Sequence, residues 1–299
     1  MKAIYDLPAP AKLNLFLHVT GRRDDGYHLL QSVFMLIDWC DTLHVELRSD
    51  GQLSREDLTS PLPADDLVIR AARALQAHAA PGRGAHIGVA KRVPAQAGMG
   101  GGSSDAATCL LALNRLWNLR LPLSELARIG LALGADVPFF LCGHNAWVEG
   151  IGEKIRPVEL PHARFIVAKP PEGLDTRLIF SAEDLQRSTP VAIISGFAAV
   201  SEQHEDPNLL RLPRLGETVF GFGHNDLQPV AQRLCPAIAT AIDWLGAQGF
   251  EARMTGSGSS VFARMQREPL KAELPPSPPG WQVRQCENLA VHPLRGWAA

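Results

Sequence analysis

Seven consecutive residues, Gly98-Met99-Gly100-Gly101-Gly102-Ser103-Ser104, most restrict what this chain can become. Four glycines in seven positions are a poor start or middle for a strand or helix, because each must give up more backbone freedom than any other residue. They nevertheless fall between two well-patterned segments. Ala85 to Val93 alternates like a strand, and the run D-A-A-T-C-L-L-A-L-N-R-L-W that follows places Ala106, Leu110, Leu113 and Trp117 on one helical face. The loop, entered through Pro94-Ala95-Gln96-Ala97, therefore opens directly into a helix N-terminus. The first amides of a helix lack internal partners, and residues without a Cβ let the backbone approach a ligand closely, so this stretch is expected to present several N–H donors to one anion, phosphate above all. It is not a Walker A loop, since no Gly-Lys pair occurs in the chain. Nor is it a dinucleotide fingerprint, whose third glycine, counted from Gly98, falls on Ser103. The H-R-D and D-F-G signatures of protein kinases are also absent.

Composition limits the partners. Among 299 residues, 29 are Lys or Arg and 31 are Asp or Glu, a formal charge of −2 that steers the chain to no polyanion, so no nucleic acid is expected. With 46% hydrophobic residues the chain can bury a real core, and its length suits two domains. No apolar run reaches the roughly 18 residues of a spanning helix. Met1 to Pro10 lacks a basic region followed by an apolar stretch, so a cytoplasmic protein with no membrane partner is expected. Five cysteines (Cys40, Cys109, Cys142, Cys235, Cys286), odd in number and without a C-x-x-C pair, predict reduced, buried thiols and no zinc site.

Along the chain, Ala11 to Thr20 alternates Leu13, Leu15, Leu17 and Val19 with Lys12, Asn14, Phe16 and His18, a two-faced strand. Thr42 to Arg48 alternates in the same way. A helix is predicted from Asp66, with Leu67, Ala71, Ala74 and Leu75 at helical spacing. Another begins at Pro122 and Ser124 and stops at Gly134, which leaves Ala135-Asp136-Val137-Pro138 as a tight turn. Strands are expected at Asn145 to Glu149 and Ala163 to Lys169, with a domain boundary near Pro157 to Pro161. Gln186 to Thr218 reads as loop or short helix. Asn225 to Gly249 reads as a helix interrupted or bent at Pro236, and Phe250 to Arg264 as two strands around Thr255-Gly256-Ser257-Gly258-Ser259-Ser260. Four prolines between Pro275 and Pro279 suggest a stiff surface connection before the last strand.

Lys12, one of six lysines, and Asp136 are each unremarkable alone: a strand lysine and a turn aspartate. Beside a phosphate cradle they become the parts phosphoryl transfer requires, a cation for the developing charge and a carboxylate for the attacking hydroxyl's proton.

The segments P-A-P-A-K-L-N-L-F-L (Pro8 to Leu17), P-A-Q-A-G-M-G-G-G-S-S-D-A-A (Pro94 to Ala107) and M-T-G-S-G-S-S-V-F-A (Met254 to Ala263) together resemble the three motifs of the GHMP small-molecule kinases. The resemblance implies a two-domain α+β fold: an N-terminal domain, 1–159, like domain 2 of ribosomal protein S5, and a C-terminal ferredoxin-like α/β sandwich, 160–299, with the active site in the cleft between them. It also implies ATP as donor, with Mg2+ accompanying the nucleotide. T-G-R-R-D-D-G-Y-H-L-L-Q-S (Thr20 to Ser32) and L-G-A-D-V-P-F-F (Leu133 to Phe140) resemble the branch whose acceptor is a methylerythritol unit joined through a diphosphate to cytidine. The D-G-Y-H string sets this branch apart from mevalonate, homoserine and galactose kinases.

By that resemblance Lys12 and Asp136 are the catalytic pair. Pro94, Ala95, Gln96, Ala97, Gly98, Met99, Gly100, Gly101, Gly102, Ser103 and Ser104, with Asp66, contact ATP. Tyr27 and Phe180 sandwich the cytosine, His28 hydrogen-bonds its edge, Asn14 contacts the methylerythritol, and Thr255, in the second glycine turn near the site, also binds the substrate. Two positions depart from the family's usual residues: Met99 stands where Leu is common, and Asp66 where Asn is frequent, which puts that purine contact in question. The metal's protein ligand is open, with Ser103 or Ser104 as candidates, and so is the oligomeric state. Competing readings are another small-molecule acceptor, mevalonate or homoserine, and a catalytically silent nucleotide sensor.

Overall fold

The computed structural model describes residues 1–197, 214–265 and 276–298. Its first strand, β1 (Ala3–Arg22), is longer than the alternating segment and runs antiparallel to an equally long β2 (His28–Arg48). Lys12 lies opposite Leu36 and Asn14 opposite Phe34. The other edge of β2 is divided. Near its end it pairs with β4 (Gly84–Ala90), which lies parallel to β3 (Leu53–Asp57); near its start it pairs with β5 (Ala146–Gly150), followed by β6 (Lys154–Pro157). Four helices accompany this sheet: α1 (Leu67–Gln76), α2 (Gly101–Leu116), α3 (Leu123–Leu133) and α4 (Val137–Cys142). Leu36, Leu43, Leu75, Leu110, Leu113 and Phe139 share one core with them.

The second sheet contains β7 (Arg164–Lys169), β8 (Ala252–Met254), β9 (Val261–Met265) and β10 (Gln282–Glu287), ordered β10-β7-β9-β8 with antiparallel neighbours. Numbered within this sheet the order is 4-1-3-2, the ferredoxin-like arrangement. Helices α5 (Thr176–Ser181), α6 (Gln228–Leu234) and α7 (Ala237–Gly246) lie between β7 and β8 in the chain. Of the interruption or bend expected at Pro236, the structure shows the interruption, because the proline ring disfavours helical geometry in the preceding residue and Cys235 sits at φ −137°, ψ 85°.

β1 ties the two sheets together. Leu7 and Ala9 enter the first core, Leu13, Leu15 and Phe16 a second, Leu17 and Val19 a third. Its polar face is buried as well: Lys12 is 4% exposed, Asn14 1% and His18 4%. Buried polar groups must find partners, and those of Lys12 and Asn14 define the site described below.

Some expectations need correction. Only Ala135 and Asp136 form the turn after Gly134. Val137 and Pro138 open α4, where a proline in the first turn costs no hydrogen bond. All five cysteines are free, but only Cys109, Cys235 and Cys286 are buried; Cys40 and Cys142 are half-buried. Within Gln186 to Thr218, Ile194–Phe197 forms a single 3-10 turn, while 198–213 lies outside the described residues, as does Pro275 of the proline-rich segment.

After β10 the chain returns to the first sheet. Asn288 bridges to Ile37, Val291 to His144, and Leu294 joins the first core. His292 is 1% exposed; its Nδ1 accepts from Leu294 N at 3.0 Å, and its Nε2 has no partner among the described residues. Burial lowers its pKa to about 4. The unfolded chain therefore binds a proton that the native state refuses between about pH 6.5 and 4. The stabilisation is present above pH 6.5 and is lost as pH falls through this window, about 3 kcal/mol in all. Urea titrations across this range should show a shallower decline of unfolding free energy in His292→Asn than in the parent; parallel curves would contradict the assignment.

Candidate active site

Lys12 is held where β1 passes beneath the glycine loop. Its backbone N donates to Met99 O at 2.9 Å, so strand and loop are joined at this residue. Its ammonium donates to Asn14 Oδ1, stands 3.5 Å from Asp136 Oδ2 and lies 4.4 Å from the centre of the Phe34 ring. Asp136 comes from the turn between α3 and α4 with its side chain 30% exposed, against 5% for that of Lys12. Asn14 is fixed from both ends: its Nδ2 donates to Ser32 Oγ at 3.0 Å and its backbone N to Thr255 Oγ1 at 2.8 Å.

The glycines of the loop are there for closeness. Gly98 and Gly100 have φ of +68° and +70°. A Cβ on Gly98 would lie 2.3 Å from Thr255 O and 2.7 Å from Gly258 N. The two glycine turns, 157 residues apart in the chain when counted from Gly98 to Thr255, thus touch backbone to backbone, with Ser259 N donating to Gln96 O at 3.2 Å. Thr255, expected to bind substrate, is instead fully buried and lines neither cavity, its hydroxyl accepting from Asn14 N; it is a brace beneath the site.

A cavity of about 670 Å³ lies over this loop. Pro94, Ala95, Gln96, Ala97, Gly98, Met99, Gly100, Gly101, Gly102 and Ser103 line it, together with Asp66, Leu62 and Leu67 and with Leu174 to Arg177 around the start of α5. Ser104 does not line it: the residue is fully buried and its hydroxyl has no partner among the described residues. The Asp66 carboxylate accepts from Ile69 N at 3.0 Å as the cap of α1 and stands 2.6 Å from Arg55 Nη1, so it is already engaged on both counts.

A second cavity, about 530 Å³, is lined by Arg22, Asp25, Tyr27, His28, Ile151 and Phe180 among others, and shares Thr176 and Arg177 with the first. Tyr27 is 60% exposed, and Phe180 stacks on His28 with ring centres 4.9 Å apart. Neither Lys12 nor Asp136 lines either cavity, but each packs next to the wall of one. Gly100, at the wall of the first, packs over Lys12; Ile151, at the wall of the second, precedes Gly152, which packs on Ala135 beside Asp136.

One feature of the loop's support has no local sequence signal. The Lys91 ammonium, at the end of β4, bridges Asp41 and Asp105, the latter at 2.6 Å, while Asp41 Oδ1 accepts from Val93 N at 2.7 Å. Burial raises the pKa of the Asp105 carboxyl against the pull of Lys91. The cluster fastens the entrance of the loop to the second turn of α2. Its members lie 14 to 64 positions apart, as the numbering from 41 to 105 shows, so no motif could reveal it.

Family models describing the N-terminal and C-terminal domains of GHMP kinases match residues 66–144 and 207–274. The 4-diphosphocytidyl-2-C-methyl-D-erythritol kinase of Variovorax paradoxus is 81% identical over 299 residues, covering all of both chains. The chain belongs to the 4-diphosphocytidyl-2-C-methyl-D-erythritol kinase family. The family member of Albidiferax ferrireducens is 62% identical over all of this chain and 96% of its own. A crystal structure of 4-(cytidine 5'-diphospho)-2C-methyl-D-erythritol kinase, 33% identical, superposes with a TM-score of 0.72 over 87% of this chain and 89% of the other. The homoserine kinase of Cytophaga hutchinsonii, 14% identical with a TM-score of 0.68 over 98% and 96%, shares the fold. This chain accordingly has the GHMP kinase architecture, with one cavity walled by glycine backbone and another by aromatic rings. Among the described residues no helix is long and apolar enough to cross a membrane, and no three His, Cys, Asp or Glu side chains gather to hold a metal.

Proposed function

We propose that this chain transfers the γ-phosphoryl group of ATP to the 2-hydroxyl of 4-diphosphocytidyl-2-C-methyl-D-erythritol, giving the 2-phosphate and ADP, in the cytoplasm and on the methylerythritol phosphate route to isoprenoid precursors. The observation that carries this reading is the lysine–carboxylate pair, 3.5 Å apart, packed behind the walls of a backbone-lined and an aromatic cavity. A silent sensor needs no such pair.

In this mechanism the loop amides and the start of α2 hold the nucleotide's phosphates. The acceptor hydroxyl gives its proton to Asp136, its oxygen forms a bond to the γ-phosphorus, and the bond from that phosphorus to the bridging oxygen breaks, with ADP taking the electron pair. Lys12 holds the hydroxyl and offsets charge on the transferring group. Because Asn14 Oδ1 and Asp136 flank the ammonium, it cannot swing away when the site is empty of substrate. Mg2+ fits here as a phosphate-borne ion, since the described residues offer no carboxylate cage; Ser103, at the cavity wall, is the hydroxyl that would join its ligands, and buried Ser104 is not. When bound, the ion neutralises charge on the β- and γ-phosphates. Tyr27 and Phe180 supply stacking surfaces, and His28 reads the base edge. We place the boundary between domains at 159/160, in the stretch joining β6 to β7.

Purified protein given ATP with, in parallel, the diphosphocytidyl polyol, mevalonate and homoserine tests the reading. ADP should form with the cytidyl acceptor alone. Equal or greater turnover of mevalonate or homoserine, or no turnover of any acceptor, would overturn it.

A further inference from the structure

Arg187, in the segment after α5, has no carboxylate partner among the described residues, yet it is held firmly. Its guanidinium donates to four backbone carbonyls: Ala182 at 2.6 Å, Leu185 at 3.1 Å, and Phe180 and Glu183 at 3.3 Å. The remaining donor, Nε–H, is aimed at His28 Nε2 at 3.1 Å. An arginine is always protonated and only donates, so His28 Nε2 must keep its lone pair. The imidazole is then neutral with its one proton on Nδ1, an atom that has no partner among the described residues, in a ring that lines the second cavity.

We infer that Arg187 is a positioning residue for base recognition: by donating to Nε2 it fixes His28 as the Nδ1–H tautomer, so that the second cavity presents a donor to a pyrimidine carrying an acceptor at its pairing edge. The inference rests on the reading of that cavity as the cytidine site. Cytosine offers acceptors at N3 and O2, whereas uracil carries N–H at position 3, which would face a donor with a donor. Discrimination of cytidine from uridine thus follows from which nitrogen holds a proton, and stacking on Tyr27 and Phe180 cannot supply it. The charged groups bearing on the ring are Arg187 from the segment after α5 and Arg22 from the end of β1, while Asp25 in the same cavity is paired with Arg23 at 2.7 Å. Burial first, then these two guanidinium groups, hold His28 below its usual pKa, in keeping with a neutral ring.

The tautomer can be read without substrate. In 15N-resolved spectra of the full chain at pH 7.5, the His28 resonances, assigned by their loss in His28→Ala, should show a protonated Nδ1 and a bare Nε2. Arg187→Leu should return the ring to a mixture of tautomers and raise the KM for the cytidyl acceptor by about tenfold, with the KM for ATP within about twofold. Lowering the pH below the ordinary histidine value of about 6.5 should then restore much of the variant's acceptor affinity, because the imidazolium carries Nδ1–H again; the parent should change less over the same range. Arg187→Lys, which keeps the charge and loses the fork, should behave like Arg187→Leu. A bare Nδ1 in the parent, or an unchanged acceptor KM in both variants, would overturn the inference. So would a loss that acid does not recover in either variant, which would mark a purely structural role. A protein that shows the Nδ1–H signature but phosphorylates no cytidyl acceptor would instead overturn the functional reading and leave the tautomer standing.

Discussion

Asp136→Asn is expected to lower kcat by about a thousandfold or more while the KM for ATP changes little. The amide matches the carboxylate in size, and Asp136 lies in a turn with 30% of its side chain exposed, so the fold has little reason to respond. What disappears is proton acceptance, together with the negative partner that holds Lys12 at 3.5 Å. Both losses act on the transition state, so kcat should fall with kcat/KM, and ATP, gripped by the glycine loop, should bind as before. Turnover within tenfold of the parent in a steady-state assay would remove Asp136 from the role of base.

Gly98→Ala should produce the largest effect on nucleotide binding and on stability together. The new methyl group would stand 2.3 Å from Thr255 O and 2.7 Å from Gly258 N, both backbone atoms, and the residue would be forced to φ +68°. Neither turn can yield alone, since Thr255 Oγ1 is bonded to Asn14 N and Ser259 N to Gln96 O. Separating the turns should cost about 2–4 kcal/mol in urea unfolding and raise the KM for ATP at least about tenfold, because the cradle and the strand carrying Lys12 move apart. An alanine variant of parental stability and ATP affinity would show that the contact between the turns does not position the loop.

The parts of this architecture that were legible in the sequence are those with a local period or an unusual composition. Alternation disclosed β1, helical spacing disclosed α1 and α2, and Pro236 announced the break between α6 and α7. The glycine loop was legible because its residues are costly anywhere except at a close approach. α4 was not, since six residues are too few to display a helical period and a proline near its start reads equally well as a turn. Nor was the return of the C-terminal stretch to the first core, where Leu294 and His292 become buried through contacts made some 150 residues away at His144. The charged supports were hidden for a related reason: Asp41, Lys91 and Asp105 meet only after a strand pair and a helix are in place, and Arg187 faces His28 across 159 positions. Lys12 lies between these cases. Its alternation placed it on a polar face, but that the face is sealed from water is a property of two cores closing over one strand.

The most direct measurement is a crystal structure of the complex with a non-hydrolysable ATP analogue, Mg2+ and 4-diphosphocytidyl-2-C-methyl-D-erythritol. The account predicts the acceptor 2-hydroxyl within hydrogen-bonding distance of an Asp136 carboxylate oxygen and of Lys12 Nζ, in line with the γ-phosphorus, the triphosphate over Gly98 to Ser103 and the cytosine beside His28. A complex with that hydroxyl beyond the reach of both side chains, or with the two nucleotide moieties in the opposite cavities, would contradict it.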